Sequence, residues 1–187
     1  MLHRERAERL LAWHDWSLTG RLGVNRGDEG GSGRLDWTVR GDRSRLDFRG
    51  TLGQGAWRLE VSPQSARLEL KDGTVREASR VEDLVLDQTG WEAPVTALGW
   101  WVRGLSWPDG PAPINRRLNE DGTLATLNQA GWRIDWTRYT EGVDAQLMPS
   151  RLQLTRADVS IKLAVSRWVM SPGVSAVETV SGAPGDE

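Results

Sequence analysis

Cysteine is absent from the 187 residues, which excludes disulfides, thiolate metal sites and a cysteine nucleophile but leaves the compartment open. Histidine is almost as scarce. His3 and His14 stand eleven residues apart near the N-terminus, about three turns along a helix, too far for a metal pair and with no nucleophile beside either. Lysine is confined to Lys71 and Lys162, neither of them preceded by glycine, so there is no P-loop; G-x-S-x-G and H-E-x-x-H are missing too. The acidic residues mostly alternate with apolar ones, as in Arg45-Leu46-Asp47-Phe48-Arg49, the pattern of a solvated sheet face rather than of a catalytic carboxylate pair. The expectation is a protein that is not an enzyme, with no metal, no cofactor and no catalytic residue. No apolar run approaches the ~18 residues of a membrane-spanning helix. Met1–Trp16 carries five charges in its first nine residues and does not read as a signal peptide. A net charge of -2 gives no bulk attraction to nucleic acid or to an anionic membrane.

What the sequence has in excess is tryptophan, eleven residues against one Phe and one Tyr. Large aromatics of this kind dominate burial in β folds. The length suits one domain with a real core. Leu2–His14 has the spacing of a helix, with Leu2, Arg6, Leu10 and Trp13, or Ala7, Leu11 and His14, as overlapping faces. Period-two alternation then fills residues 16–77: Trp16 to Val24, Leu35 to Val39, Leu46 and Phe48, Trp57 to Val61, and Ala66 to Leu70. Asp72-Gly73 and Asp121-Gly122 are hairpin signals. Ser79 with Glu82 three positions on forms a capping-box pattern that opens a helical segment spanning 79–106. Strands resume over 114–169, with Trp132, Ile134 and Trp136 and then Val159 to Val165 as the clearest. Residues 1–170 therefore read as a single domain and 171–187 as a disordered tail, small, polar and rich in Gly and Pro.

The chain is organised around Ala93–Trp107. Val95, Leu98, Trp101, Val102 and Leu105 fall on one helical face, Pro94 suits the first turn, and Gly104 suits the end. One helical interlude thus interrupts about ten or eleven hairpin-connected strands, and a sheet of that size must curl. The fold class is mainly β with helices (α+β): an antiparallel sheet curled toward a barrel, with helices over its mouth. Inward positions are apolar throughout, among them Leu22, Trp37, Phe48, Leu59 and Leu68 on the strands and Leu98, Trp101, Val102 and Leu105 on the helix. Such an interior is either solid core or a pocket for something greasy. The connection Arg49–Gly55 holds one bare leucine, Leu52, before Gly53. It is either folded back on the sheet or a hydrophobic finger.

These residues, in their order, resemble the LolB family of outer-membrane lipoprotein receptors. The similarity runs over about residues 16–169: Gly20-Arg21-Leu22-Gly23-Val24, Leu52-Gly53-Gln54-Gly55, Asp72-Gly73, Pro94-Val95 through Leu98, Trp101, Val102 and Arg103-Gly104. It continues with Gly122, Leu127, Gln129, Gly131-Trp132, Tyr139, Pro149, Leu152, Ile161-Lys162-Leu163 and Trp168. The resemblance implies an unclosed β-barrel with a helical lid whose cavity holds the acyl chains of a lipoprotein. It implies cargo taken from a soluble LolA-like periplasmic carrier, delivery to the inner leaflet of the outer membrane, and no nucleic-acid partner. The nine inward residues become candidate acyl-chain contacts, with Trp101 and Val102 expected on the cavity side of the lid. Leu52 and Gly53 become a membrane-insertion loop, and the protein is expected to be a monomer. Two departures stand out. Thr51 occupies a position where the family often has proline, and the family's lipid-bearing N-terminal cysteine has no counterpart here. Two rival readings are a related periplasmic hydrophobic-ligand carrier and a non-catalytic surface-binding module, for glycan for example. The module would display several exposed tryptophans on one sheet face over a filled barrel.

Overall fold

A computed structural model describes residues 2–51, 55–89 and 93–171 of the chain. Beside a short 3-10 turn at Val143–Ala145, these residues form three α-helices and eleven strands. In chain order these are α1 (Leu2–Leu11), β1 (Asp15–Arg26), β2 (Glu29–Arg40), β3 (Arg43–Gly50), β4 (Ala56–Val61), β5 (Ala66–Leu70) and β6 (Val75–Ala78). Then come α2 (Val81–Thr89), α3 (Val95–Trp101), β7 (Ile114–Leu118), β8 (Leu124–Gln129), β9 (Trp132–Glu141), β10 (Leu147–Arg156) and β11 (Val159–Ser171). The proposed disordered tail lies outside the described residues, apart from Ser171, which ends β11.

All strands join one antiparallel sheet in the order β6-β5-β4-β3-β2-β1-β11-β10-β9-β8-β7. Two meanders, β1–β6 and β7–β11, are sewn together by the pairing of β1 with β11, and the sheet ends on β6 and β7 without closing. This is the antiparallel β fold with helices that the alternation implies, and it is unclosed as the resemblance implies. Both edge strands are largely exposed and carry charge (Arg76 and Glu77 on β6, Arg116 and Arg117 on β7), which discourages further pairing.

Alternation fixes which face is which. On one face Trp16, Leu18, Leu35, Trp37, Leu46, Leu59 and Leu68 continue into Leu127, Ile134, Trp136, Leu152, Leu154, Ile161 and Leu163 as one buried core. The seam between β1 and β11 contains a register shift at Thr19/Gly20. A Cβ on Gly20 would lie 2.5 Å from the Ala164 carbonyl oxygen, so glycine is what allows the two backbones to close there.

The helices close over the apolar face. α1 is shorter than the spacing suggests. It ends at Leu11, with Trp13 N–H donating to the Leu10 carbonyl before the chain enters β1. Of its two possible faces, the one with Arg6 and Leu10 is buried, while Leu11 is exposed. Arg6 crosses to the far meander: its Nη2 donates to the Leu147 carbonyl (2.6 Å), and its guanidinium lies 5.6 Å from the Tyr139 ring. The Glu82 carboxylate of the capping-box pattern is engaged elsewhere. Its Oε1 accepts from Thr96 Oγ1 (2.6 Å) and from Thr96 N–H (3.2 Å), tying α2 to α3.

Candidate functional site: the concave face and its helical lid

α2 packs over β5 and β6, with Val81 and Leu84 buried, and α3 lies beside it. The end of α3 is set by a Schellman pairing, Leu105 N–H to the Trp100 carbonyl (3.2 Å) and Gly104 N–H to the Trp101 carbonyl (2.9 Å). Gly104 takes φ +76°, the left-handed region that glycine enters without penalty. Buried Gln129 on β8 then fastens both the helix end and the chain beyond it. Its Oε1 accepts from Trp101 Nε1–H and from Trp107 N–H, both at 2.9 Å; its Nε2 donates to the carbonyls of Trp107 (2.8 Å) and Pro111 (2.9 Å). From the other side Trp136 Nε1–H donates to the Trp101 carbonyl at 2.8 Å.

α3 therefore carries its adjacent tryptophans in opposite senses. Trp101 is fully buried against β8 and β9, and Val102 is fully buried with it. Trp100 faces a cavity of about 730 Å³ between the lid and the mouth of the sheet, within the range of small-ligand pockets. Trp13, Trp16 and Trp37 line the same space with Val39, Val61 and Val95. Trp16 and Trp37 pack 5.2 Å apart, and Trp37 Nε1–H donates to Ser44 Oγ at 2.7 Å.

Asp42, Arg43 and Asp109 stand at the exposed rim of this cavity, and Arg103 is the buried cation of its wall. The Arg103 guanidinium lies 4.8 Å from the Trp100 ring and 5.6 Å from the Trp16 ring, and its Nε donates to the Gly99 carbonyl. It makes no ion pair among the described residues, and burial pushes its pKa down to about 10. The side chain is thus a cation–π brace between lid and sheet.

Of the nine residues that alternation and helical spacing place inward, Trp37 reaches the cavity wall. Leu59 and Leu68 are buried on β4 and β5, and Trp101, Val102 and Leu105 are buried on the underside of the lid. Leu22, Phe48 and Leu98 are half-buried. Leu22 and Phe48 share the concave face with half-buried Trp57, which stacks on Phe48 at 5.1 Å. Leu52 and Gly53 lie outside the described residues. The base of their loop is firmly made: Gly50 N–H donates to the Gly55 carbonyl (2.8 Å), and Thr51 Oγ1 donates to the Ser32 carbonyl (3.1 Å).

Sequence reasoning assigned no role to Gln129, Arg103 or Arg6. For Gln129 the signal was present, a polar residue two positions after Leu127 and hence on the inward face of β8. The exposed tryptophan platform of the surface-module reading is not formed. Among the described residues every tryptophan is buried or half-buried. No described helix is long and apolar enough to cross a membrane.

The family model for the outer-membrane lipoprotein LolB matches residues 14–168. A LolB outer-membrane lipoprotein of Alkalilimnicola ehrlichii is 37% identical over 175 residues, covering 91% of this chain and 84% of the relative. Its counterpart in Pseudomonas savastanoi pv. phaseolicola is 35% identical over 165 residues, covering 88% and 79%. Among solved structures, a LolA superfamily protein of Nitrosomonas europaea superposes with a TM-score of 0.57 at 6% identity, covering 90% of this chain and 93% of that one. A lipoprotein-sorting protein domain of Vibrio parahaemolyticus gives 0.52 at 10% identity, covering 94% and 93%. At such identities the two structures show a shared fold.

Proposed function

The chain belongs to the LolB family of outer-membrane lipoproteins, and from that premise we propose that it receives lipoproteins by their acyl chains and inserts them into the outer membrane. The observation that carries this reading is the tryptophan-walled cavity under α3, beside a sheet face whose buried side chains are almost all apolar. Exposed hydrocarbon costs about 0.8 kcal/mol per CH₂, so a chain of about sixteen carbons faces on the order of 12 kcal/mol in water. An escort must cover the chain, and with no nucleotide site to drive transfer, delivery runs downhill to the bilayer.

In this reading Trp13, Trp16, Trp37 and Trp100 meet the acyl chain first. Lifting α3 would bare the underside of the lid, Leu98, Trp101, Val102 and Leu105, with Leu59, Leu68, Leu22 and Phe48 extending the apolar path along the sheet. A soluble LolA-like periplasmic carrier hands over the cargo, and the inner leaflet of the outer membrane receives it. The protein works as a monomer, and the Leu52-Gly53 loop enters the bilayer at the delivery step.

The test is transfer of an acylated lipoprotein from its soluble carrier to liposomes, with this protein present, absent, or carrying Leu52→Glu. The protein should accelerate transfer. Leu52→Glu should fold and take up cargo normally yet lower insertion about tenfold or more, since an acid replaces an apolar side chain in the membrane. No acceleration by the unaltered protein would overturn the receptor role, and full activity of the variant would overturn the role of the loop.

A further inference from the structure

A net charge of -2 conceals a concentrated basic feature on the convex face. The strand register sets Arg49 opposite Arg34, Arg34 opposite Arg21, Arg21 opposite Ala164, Ala164 opposite Arg151, and Arg151 opposite Arg138. One row across six adjacent strands, about 24 Å at the usual strand spacing, thus carries five exposed arginines and one alanine. Like charges placed directly opposite weaken a sheet. Elsewhere on this face several arginines are matched with acids: Arg45 and Arg58 with Asp47, Arg67 with Glu60, Glu69 and Glu77, and Arg133 with Asp135. In the row only Arg34 is paired, with Asp36 at 2.9 Å. Among the described residues Arg21, Arg49, Arg138 and Arg151 form no ion pair. Asp36 is already held by Arg34 and by Thr19 Oγ1.

The row lines a shallow groove of about 660 Å³ with no acidic residue in its wall. Between the arginines stand the hydroxyls of Thr140 and Ser150, while those of Thr19, Thr51 and Ser166 already donate to Asp36 and to the Ser32 and Thr19 carbonyls. Ser150 Oγ is buried without a hydrogen-bond partner. Guanidinium forks interleaved with hydroxyl donors are the chemistry that recognises phosphate oxygens.

We propose that this arginine row is a docking surface for the phosphate headgroups of an anionic lipid bilayer. Two observations favour a bilayer over an acidic protein. The groove is elongated and holds no aromatic or large aliphatic anchor of the kind that centres a protein interface. Arg49 and Thr51, at one end of the row, flank the start of the loop that carries Leu52. Charge and loop would then approach one surface together. The choice of bilayer rests on the proposed delivery function; the row itself does not.

The experiment is co-sedimentation of the cargo-free full chain with vesicles of phosphatidylcholine alone or with phosphatidylglycerol added, at low and raised salt. Arg21→Gln/Arg49→Gln/Arg151→Gln is compared with Arg45→Gln/Arg58→Gln/Arg67→Gln, which removes the same charge from paired positions on the same face. We expect binding to the anionic vesicles only, weakened by salt. The row variant should lose about five-fold per arginine, on the order of 100-fold in all, and the control should lose far less. Relief of in-register repulsion should leave the row variant melting no lower than the unaltered chain, which separates lost binding from lost fold. Equal binding to both vesicle types, or an equal loss in the control, would overturn the proposal. So would displacement by millimolar inorganic phosphate, which would mark a free-phosphate site, or binding of an acidic protein through these arginines without any binding to vesicles. A row that docks while the protein fails to transfer cargo would fault the receptor reading and leave the docking surface standing.

Discussion

At the scale of single residues, the side chains that fix the lid are polar ones set into an apolar face. Gln129 is satisfied at both ends of its amide, by the Trp101 indole, both main-chain groups of Trp107, and the Pro111 carbonyl. Gln129→Leu keeps comparable bulk and strands those partners without water. It should destabilise the protein by about 3 kcal/mol, measured by chemical denaturation, while a change at an exposed position such as Glu120→Gln should be nearly neutral. The pattern Leu127-x-Gln129 shows that a polar group points inward, but not what it holds. Its partners lie 18 to 28 positions away in sequence, on the lid and the loop after it, and only the folded topology brings them within reach. Arg103 was hidden for a related reason. A lone arginine at a helix end reads as a solvent-facing cation, and two indole rings from different elements are needed to make it a brace.

At the scale of elements, the helical interlude was legible and its rotation was not. Pro94, the three- and four-residue apolar steps and Gly104 bracket α3, and Gly104 does end its Schellman turn. Adjacent residues on a helix point about 100° apart, so Trp100 and Trp101 both border the apolar stripe. The expectation set Trp101 toward the cavity; in the structure Trp100 lines the cavity, and Trp101 is buried with its indole donating to Gln129. The strands were legible in the same measure. Alternation places them, and Asp-Gly signals mark hairpins where Gly73 and Gly122 do take positive φ. The order of strands in the sheet was not legible, because nothing local in β1 announces β11 as its neighbour. That seam is testable through Gly20. Gly20→Val would drive Cβ against the Ala164 backbone, and it should cost about 2 kcal/mol, read as a lower melting temperature. A variant as stable as the original would show that the strands separate there without penalty.

At the scale of the whole molecule, acid should loosen the fold in two steps. Burial holds the His3 imidazole below its ordinary 6.5, against the hydrogen bond to the Gly122 carbonyl. The unfolded chain therefore binds the extra proton first, and stability falls as pH drops through that value. Arg34 beside Asp36, and Arg133 beside Asp135, hold those carboxyls below the ordinary 3.8. Their contribution is present above that value and is lost as pH falls through the folded-state pKa values. Urea titrations from neutral to acidic pH should show stability declining throughout; a rise on acidification would contradict these assignments. The pairing of β1 with β11 has a consequence for how the molecule comes into being. Leu22 faces Leu163 across the seam, so the centre of the sheet is the last part for which all the chain exists. The first meander can assemble from local hairpins alone, while the joining of the two halves carries the loop-closure entropy of nearly the entire polypeptide. Until β11 is delivered, β1 presents a bare twelve-residue edge, an invitation to pair with another copy. A chain emerging slowly or cut short before Val159 is then the form in which this protein is most exposed to aggregation.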